Sequence, residues 1–186
     1  MKYLSKGLPF RRSGETLIIS HCGKEYELTG ERASIWENGR CGFDAALSGS
    51  QYTALQELAG QGLAETSVDA DTDSLFRLLV NCVICPINDK ALAILWNPLE
   101  RRLWIWLTKA GLRLTIAELV FLIEKDIKPA SKLLGDENRQ ALTETIYTTE
   151  TIPDGILESR MEQSPARDRT VRAISNLLRK NRIFLI

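Results

Sequence analysis

Seven basic side chains lie between Arg160 and Ile186: Arg160, Arg167, Arg169, Arg172, Arg179, Lys180 and Arg182. Only Glu162 and Asp168 oppose them, so this end is locally +5 in a chain whose formal net charge is zero. Arg169, Arg172, Asn176 and Arg179 fall at i, i+3, i+7 and i+10, on one face of a helix. Guanidinium and carboxamide groups in such a row are donors for phosphate oxygens and base edges, and phosphate contacts accumulate charge by charge. These four are expected to form a DNA-contact face, with Arg167, Lys180 and Arg182 as phosphate neighbours. The same row also fits an interaction surface for protein, or the solvated face of an ordinary surface helix, whose dipole favours cations near its C-terminus.

Other chemistry is thin. His21 is the single histidine, so His-based triads, facial metal triads and two-histidine zinc helices lack their partners. Cys82 and Cys85 form a C-x-x-C, but inside an apolar, partly β-branched run that reads as buried rather than at an exposed helix start. A zinc site would need a second pair or histidines, and only Cys22, Cys41 and His21 remain. Asp69-x-Asp71-x-Asp73 has the opening of a calcium loop, yet Ser74 stands where Gly belongs and Val80 where Glu belongs. No glycine-rich phosphate loop or nucleophile elbow occurs. No catalytic residue, metal or cofactor is expected, and the chain reads as non-enzymatic. The first residues lack a signal-peptide core and no apolar run reaches membrane-spanning length, so a cytoplasmic location is expected.

The elements that must hold the basic row are readable from periodicity. Pro153 and Asp154 open a helix carrying Ile156, Leu157 and Met161; Ser164-Pro165-Ala166 turns the chain, and Asp168 is expected to cap the next helix. There Val171, Ile174, Leu177 and Leu178 form an apolar stripe opposite the arginines, and Arg182–Ile186 ends as a short strand. Two helices, a tight turn and a strand are the order of a helix-turn-helix over about 153–186, with one strand and no local partner for a wing.

Upstream, Thr115-x-x-Glu118 is a capping box for a helix to Lys125, with Ala117, Val120 and Phe121 inward. Leu99, Leu103, Trp106 and Leu107 repeat at helical spacing after Asn97-Pro98. A short helix is expected over Ala130–Leu134, and a longer one over Glu137–Tyr147 with Asp136 as its cap. Leu75–Ile87 and Ala91–Trp96 fit either strands or buried helix. Thr16–Leu28 reads as a hairpin turning at Gly23-Lys24. Thr29 is expected to cap a helix over Gly30–Glu37, and Tyr52, Leu55 and Leu58 mark another ending at Gly60 to Gly62.

The run Gly14-Glu-Thr-Leu-Ile-Ile-Ser-His-Cys-Gly-Lys-Glu-Tyr-Glu-Leu-Thr-Gly-Glu-Arg-Ala-Ser-Ile-Trp36 resembles the opening of PqqD-like domains, and Ala54–Glu65 is similar to their closing helix. The likeness covers roughly residues 14–66. It implies a small winged-helix-like module that binds a leader peptide as an added strand on the edge of the Thr16–Leu28 hairpin. No site residue carries over, because such recognition is mostly backbone, and Trp36 reads as core.

The expectation is an α+β chain, mostly α, of tandem winged-helix-like modules with small β-hairpins. Residues 1–68 form a PqqD-like module, 69–74 an acidic linker, and 75–186 a helical domain ending in the helix-turn-helix-like segment. Two functions follow: a winged-helix DNA-binding transcriptional regulator, dimeric through its apolar middle, or a PqqD-like module that binds a leader peptide or partner protein.

Overall fold

Lys2–Ser5 and Leu8–Ser13 show no clean alternation, yet both are strands, β1 and β2, because partners elsewhere in the chain pair with them. The computed structural model describes residues 1–44, 47–68, 74–87, 97–109, 113–148 and 156–186. β3 (Thr16–His21) and β4 (Lys24–Leu28) form the expected hairpin. Its turn is Cys22–Gly23, one residue earlier than expected, with both residues at positive φ (49° and 77°) as a tight hairpin turn requires. β2 adds to β3 on the other side, giving the order β2-β3-β4. A register shift between Pro9 and Arg11 bulges β2 and leaves Phe10 66% exposed.

Helix α1 (Gly30–Asn38) follows, then a 3-10 turn at Gly39–Cys41, β5 (Phe43–Asp44) and α2 (Gly49–Gly60). Thr29 holds the N-cap position of α1, but its side chain makes no capping bond. α2 starts two residues before the expected Gln51, at a capping box between Ser48 and Gln51. Tyr52 is exposed, and Ala54 joins Leu55 and Leu58 on the buried face. Gly62, at φ 74°, ends α2 as the amides of Gly62 and Leu63 turn back to the carbonyls of Ala59 and Leu58. β6 (Ala64–Ser67) then pairs with β1, which β5 flanks on its other side.

The core here gathers Tyr3, Leu17, Ile19, Leu28, Ile35, Trp36, Leu55, Leu58 and Leu63. Each large apolar side chain so buried contributes about 1.5–3 kcal/mol. Trp36 is fully buried, as expected, and donates its indole N–H to the Lys6 carbonyl at 2.9 Å. Gly39 is needed by close approach: a Cβ there would lie 2.5 Å from the Tyr3 ring and run into Ser5 Oγ.

Contacts divide the chain into two compact units, Met1–Cys82 with Phe184–Ile186, and Val83–Ile183. The division falls after α3 (Ser74–Val80) rather than at the acidic segment, of which residues 69–73 lie outside the described residues. Ser74, expected in the linker, is fully buried at the start of α3, and Phe76, Leu78 and Leu79 pack toward β1 and β6. The ambiguous run Leu75–Ile87 is thus both things in turn, helix α3 and then strand β7 (Val83–Pro86). Residues Ala91–Trp96 lie outside the described residues.

In the second unit, α4 (Pro98–Lys109) leads to β8 (Leu114–Thr115) and α5 (Ile116–Glu124). The capping box is present: Glu118 N–H donates to Thr115 Oγ1 at 3.3 Å, and Thr115 N–H to Glu118 Oε2 at 2.7 Å. α5 is buried nearly all round and forms the centre of this unit. Beyond it come 3-10 turns at Ser131–Leu133 and Asp136–Asn138, α6 (Arg139–Ile146), α7 (Ile156–Glu162), α8 (Arg167–Arg179) and β9 (Ile183–Leu185). The short helix expected at Ala130–Leu134 is therefore one 3-10 turn. The helix expected from Glu137 becomes α-helical only at Arg139, with Asn138 at its N-cap position. The strand expected to stand alone has company: the order is β8-β7-β9, so distant strands supply the sheet. The fold is α+β, with eight α-helices and small sheets among the described residues.

Candidate nucleic-acid interface

The turn between α7 and α8 spans Gln163–Ala166. Ser164 is buried, and its hydroxyl oxygen accepts the Ala166 N–H at 3.0 Å while its carbonyl accepts the Arg167 N–H at 3.0 Å. Asp168 is not the cap. Ala166 holds that position, and Asp168 sits in the first turn, taking the Arg167 Nε–H at 2.8 Å. A carboxylate there still faces the positive end of the helix dipole. Pro153 and Asp154 lie outside the described residues.

The buried face of α8 is the expected stripe, Val171, Ile174, Leu177 and Leu178, widened by Thr170, Ala173 and Ser175. The two hydroxyls are satisfied inside the helix, Thr170 donating to the Ala166 carbonyl and Ser175 to that of Val171. α8 packs on α4 and α5, and α7 packs on α5. At its C-terminus Asn181 adopts a left-handed φ of 51°. The amides of Asn181 and Arg182 return to the carbonyls of Leu178 and Leu177, steering the chain into β9.

The seven basic or amide residues singled out by spacing divide into three groups. Arg169, Arg172 and Arg179 are exposed, and among the described residues no salt bridge holds any of them. Asn176 and Lys180 turn instead toward α4. Asn176 Nδ2 donates to Glu100 Oε1 at 3.0 Å, and Lys180 Nζ donates to Glu100 Oε2 at 2.5 Å. Arg167 folds back over the turn, giving an N–H to the Glu162 carbonyl at 2.7 Å, and Arg182 is half-buried at the entry to β9.

Glu100 is the residue that spacing arguments missed. It is 2% exposed, with two donors 76 and 80 residues further along the chain. A local signal existed: Glu100, Leu103 and Leu107 fall at i, i+3 and i+7, so a carboxylate lies on the apolar stripe of α4. A buried carboxylate demands partners, and the amphipathic helix downstream supplied them. α4 itself begins as Asn97-Pro98 directs. Asn97 Oδ1 accepts the amides of Leu99 at 2.9 Å and Glu100 at 3.3 Å, and proline occupies the first helical position. Arg102 then fastens α4 to the end of α5, reaching the Asp126 carboxylate at 2.7 Å and the Ile127 carbonyl at 2.5 Å. That guanidinium, with help from Lys128 and Arg169, holds the Asp126 carboxyl below its usual range.

The remaining candidates separate just as clearly. Cys82 is buried, donates to the Leu78 carbonyl at 3.3 Å, and has its thiol pushed up by burial to about 12. Cys85 is also buried, and no cysteine is in a disulfide among the described residues. His21 is buried with its Nε2 3.5 Å from Cys22 Sγ; burial, then the Lys6 charge, lowers its pKa. Among the described residues no three His, Cys, Asp or Glu side chains gather, and no helix is long and apolar enough to cross a membrane. In the hairpin sheet, β2 covers the edge of β3, so among the described residues the unpaired edges belong to β2 and β4. No protein-family model, curated protein or solved structure matches this chain.

Proposed function

We propose that the chain is a non-enzymatic DNA-binding protein, a regulator of winged-helix type, that contacts duplex DNA with the outer face of α8. One observation carries the reading. Arg169, Arg172 and Arg179 stand exposed on the side of α8 opposite a fully buried stripe, at the end of two helices joined by a tight turn. An α-helix fits the major groove, and the guanidinium fork pairs with phosphates and with guanine O6 and N7. Asn176 gives an amide N–H to Glu100 and contributes less to the contact face than its spacing suggests. Lys180 is charge-paired with Glu100 and contributes less to phosphate binding than its position suggests. The apolar side chains of the middle segment, Phe76, Leu79, Ile84 and the inward face of α5, are spent inside the chain, so dimerisation through them is not part of the proposal.

Fluorescence anisotropy of the full chain with random-sequence duplex tests this. Binding is expected at low salt, with log affinity falling against log salt by roughly 0.9 per phosphate contacted. No binding at low salt overturns it.

A second reading has its own observation. β4 is an unpaired edge among the described residues, so a leader peptide or partner protein could add to it as a strand, as the PqqD-like resemblance suggests. With His21 and Lys24 closing the two-residue turn, the Glu25 N–H points away from β3. Glu25→Pro should then abolish peptide capture while leaving the fold intact, and unchanged capture excludes this edge.

A further inference from the structure

The start of α4 and the outer face of α8 enclose a shallow pocket of about 190 Å³, lined by Asn97, Leu99, Arg169, Arg172, Ala173 and Asn176. Its charge is one-sided. Arg169 and Arg172, one turn apart, open onto it, and no carboxylate lines it. Glu100 and Asp168, each next to a lining residue in sequence, are engaged, Glu100 by Asn176 and Lys180 and Asp168 by Arg167. Asp126, which feels the Arg169 charge, is paired with Arg102. The first amides of α4 are not available as donors, since Asn97 Oδ1 already accepts those of Leu99 and Glu100. That leaves the side chains. Asn97 spends its oxygen on the helix and keeps its Nδ2 hydrogens, while Leu99 and Ala173 make an apolar floor.

We infer that this pocket is a phosphate seat, in which the Arg169 and Arg172 guanidiniums clamp a phosphoryl group, the Asn97 amide gives a further hydrogen bond, and the sugar or other ester substituent rests on Leu99 and Ala173. Guanidinium is the side chain best matched to phosphate, because its planar fork donates two parallel hydrogen bonds and its charge does not titrate away. The volume is several times the ~30 Å³ share of one water, which suits a phosphoryl group with part of its substituent. The seat rests on the DNA reading only for the source of the phosphate, a backbone phosphodiester. The same chemistry would also take a small phosphate monoester. α4 thereby becomes a second contact element beside α8.

Inorganic phosphate, titrated into the full chain at constant ionic strength with chloride as counter-anion, tests the seat by NMR of arginine Nε–H and asparagine Nδ2–H groups. Saturable shifts are expected at Arg169, Arg172 and Asn97 but not at Arg179. Asn97→Asp is the discriminating variant, because aspartate caps a helix as well as asparagine does yet puts a negative charge into the pocket. It should keep the melting temperature in chloride and weaken phosphate binding at least about tenfold, as loss of one charge-assisted contact does. R169Q/R172Q should abolish binding.

Two further arms, a short duplex and ribose 5-phosphate, separate the sources. If Asn97→Asp weakens duplex binding, the seat takes backbone phosphate. If ribose 5-phosphate binds and is sensitive to Asn97→Asp while duplex does not bind, the seat stands and the DNA reading fails. If duplex binds but phosphate moves none of these three residues, the seat is overturned and the DNA reading survives.

Discussion

Glu100 offers the most demanding test of the packing behind α8. Its carboxylate is 2% exposed and accepts one hydrogen bond from Asn176 and one from Lys180. Glu100→Ala removes both. The Asn176 bond goes to a charged acceptor and is worth about 1.5–2 kcal/mol. The Lys180 side chain is 48% exposed, so its ion pair contributes only about 0.5 kcal/mol after solvent screening. Truncation also leaves a small cavity costing about 1 kcal/mol, offset by relief of the carboxylate's own desolvation by a similar amount. The net loss is about 2 kcal/mol. Glu100→Gln keeps an oxygen for Asn176 and loses the charge, so its cost is about 0.5–1 kcal/mol. Glu100→Met, apolar and of similar volume, leaves no cavity but still loses both hydrogen bonds, so its cost is about 1 kcal/mol. Native-state hydrogen exchange of the α4 and α8 amides reads these changes locally, and a cycle with Lys180→Ala isolates the ion pair. If Glu100→Ala and Glu100→Gln both leave α4 and α8 protection within about 0.3 kcal/mol of native, the Glu100 contact does not hold the two helices together.

Four other outcomes follow from the same structure. The Cys82 thiol, raised from its ordinary 9.0 to about 12, stabilises the fold fully below pH 9. Its contribution drains at about 1.4 kcal/mol per pH unit as pH rises from there toward 12, because the unfolded thiol ionises first. Cys82→Ser should flatten that slope in denaturation titrations, and an unchanged slope assigns it to another group. Thiol labelling of the native chain should modify exposed Cys22 rapidly and spare Cys82 and Cys85; equal rates contradict their burial. Gly39→Ala must displace Tyr3 or Ser5, costing about 1–3 kcal/mol in equilibrium unfolding, whereas a neutral effect would mean that the β1 contact yields freely. Thr115→Ala removes half of the α5 capping box and should cost about 1 kcal/mol, measured by the same unfolding curves.

What could be read in the sequence was what neighbours in sequence decide. The Thr115–Glu118 box, the α8 stripe and the hairpin all depend on residues within a few positions of one another, and each is present. β1 escaped notice because a distant partner makes it a strand, Lys2 pairing with Ser67; β2 escaped, though β3 is its neighbour in sequence, because its residues are mostly exposed and show no alternation. The boundary shifted because Phe76, Leu78 and Leu79 bury their side chains with the first unit. In the candidate interface the spacing of Arg169, Arg172 and Arg179 foretold exposure correctly. It could not foretell that a carboxylate 76 residues upstream would take Asn176 and Lys180, since helix periodicity describes a face and not what covers it.

On the proposed function, the exposed arginines of α8 bind DNA. Duplex affinity at low salt, measured for the native chain and for R169Q/R172Q/R179Q with matched circular dichroism and melting curves, tests it most directly. The prediction is an intact fold with duplex affinity reduced at least about a hundredfold and a salt slope shallower by roughly 3. A folded triple variant that binds duplex as tightly as the native chain would contradict it.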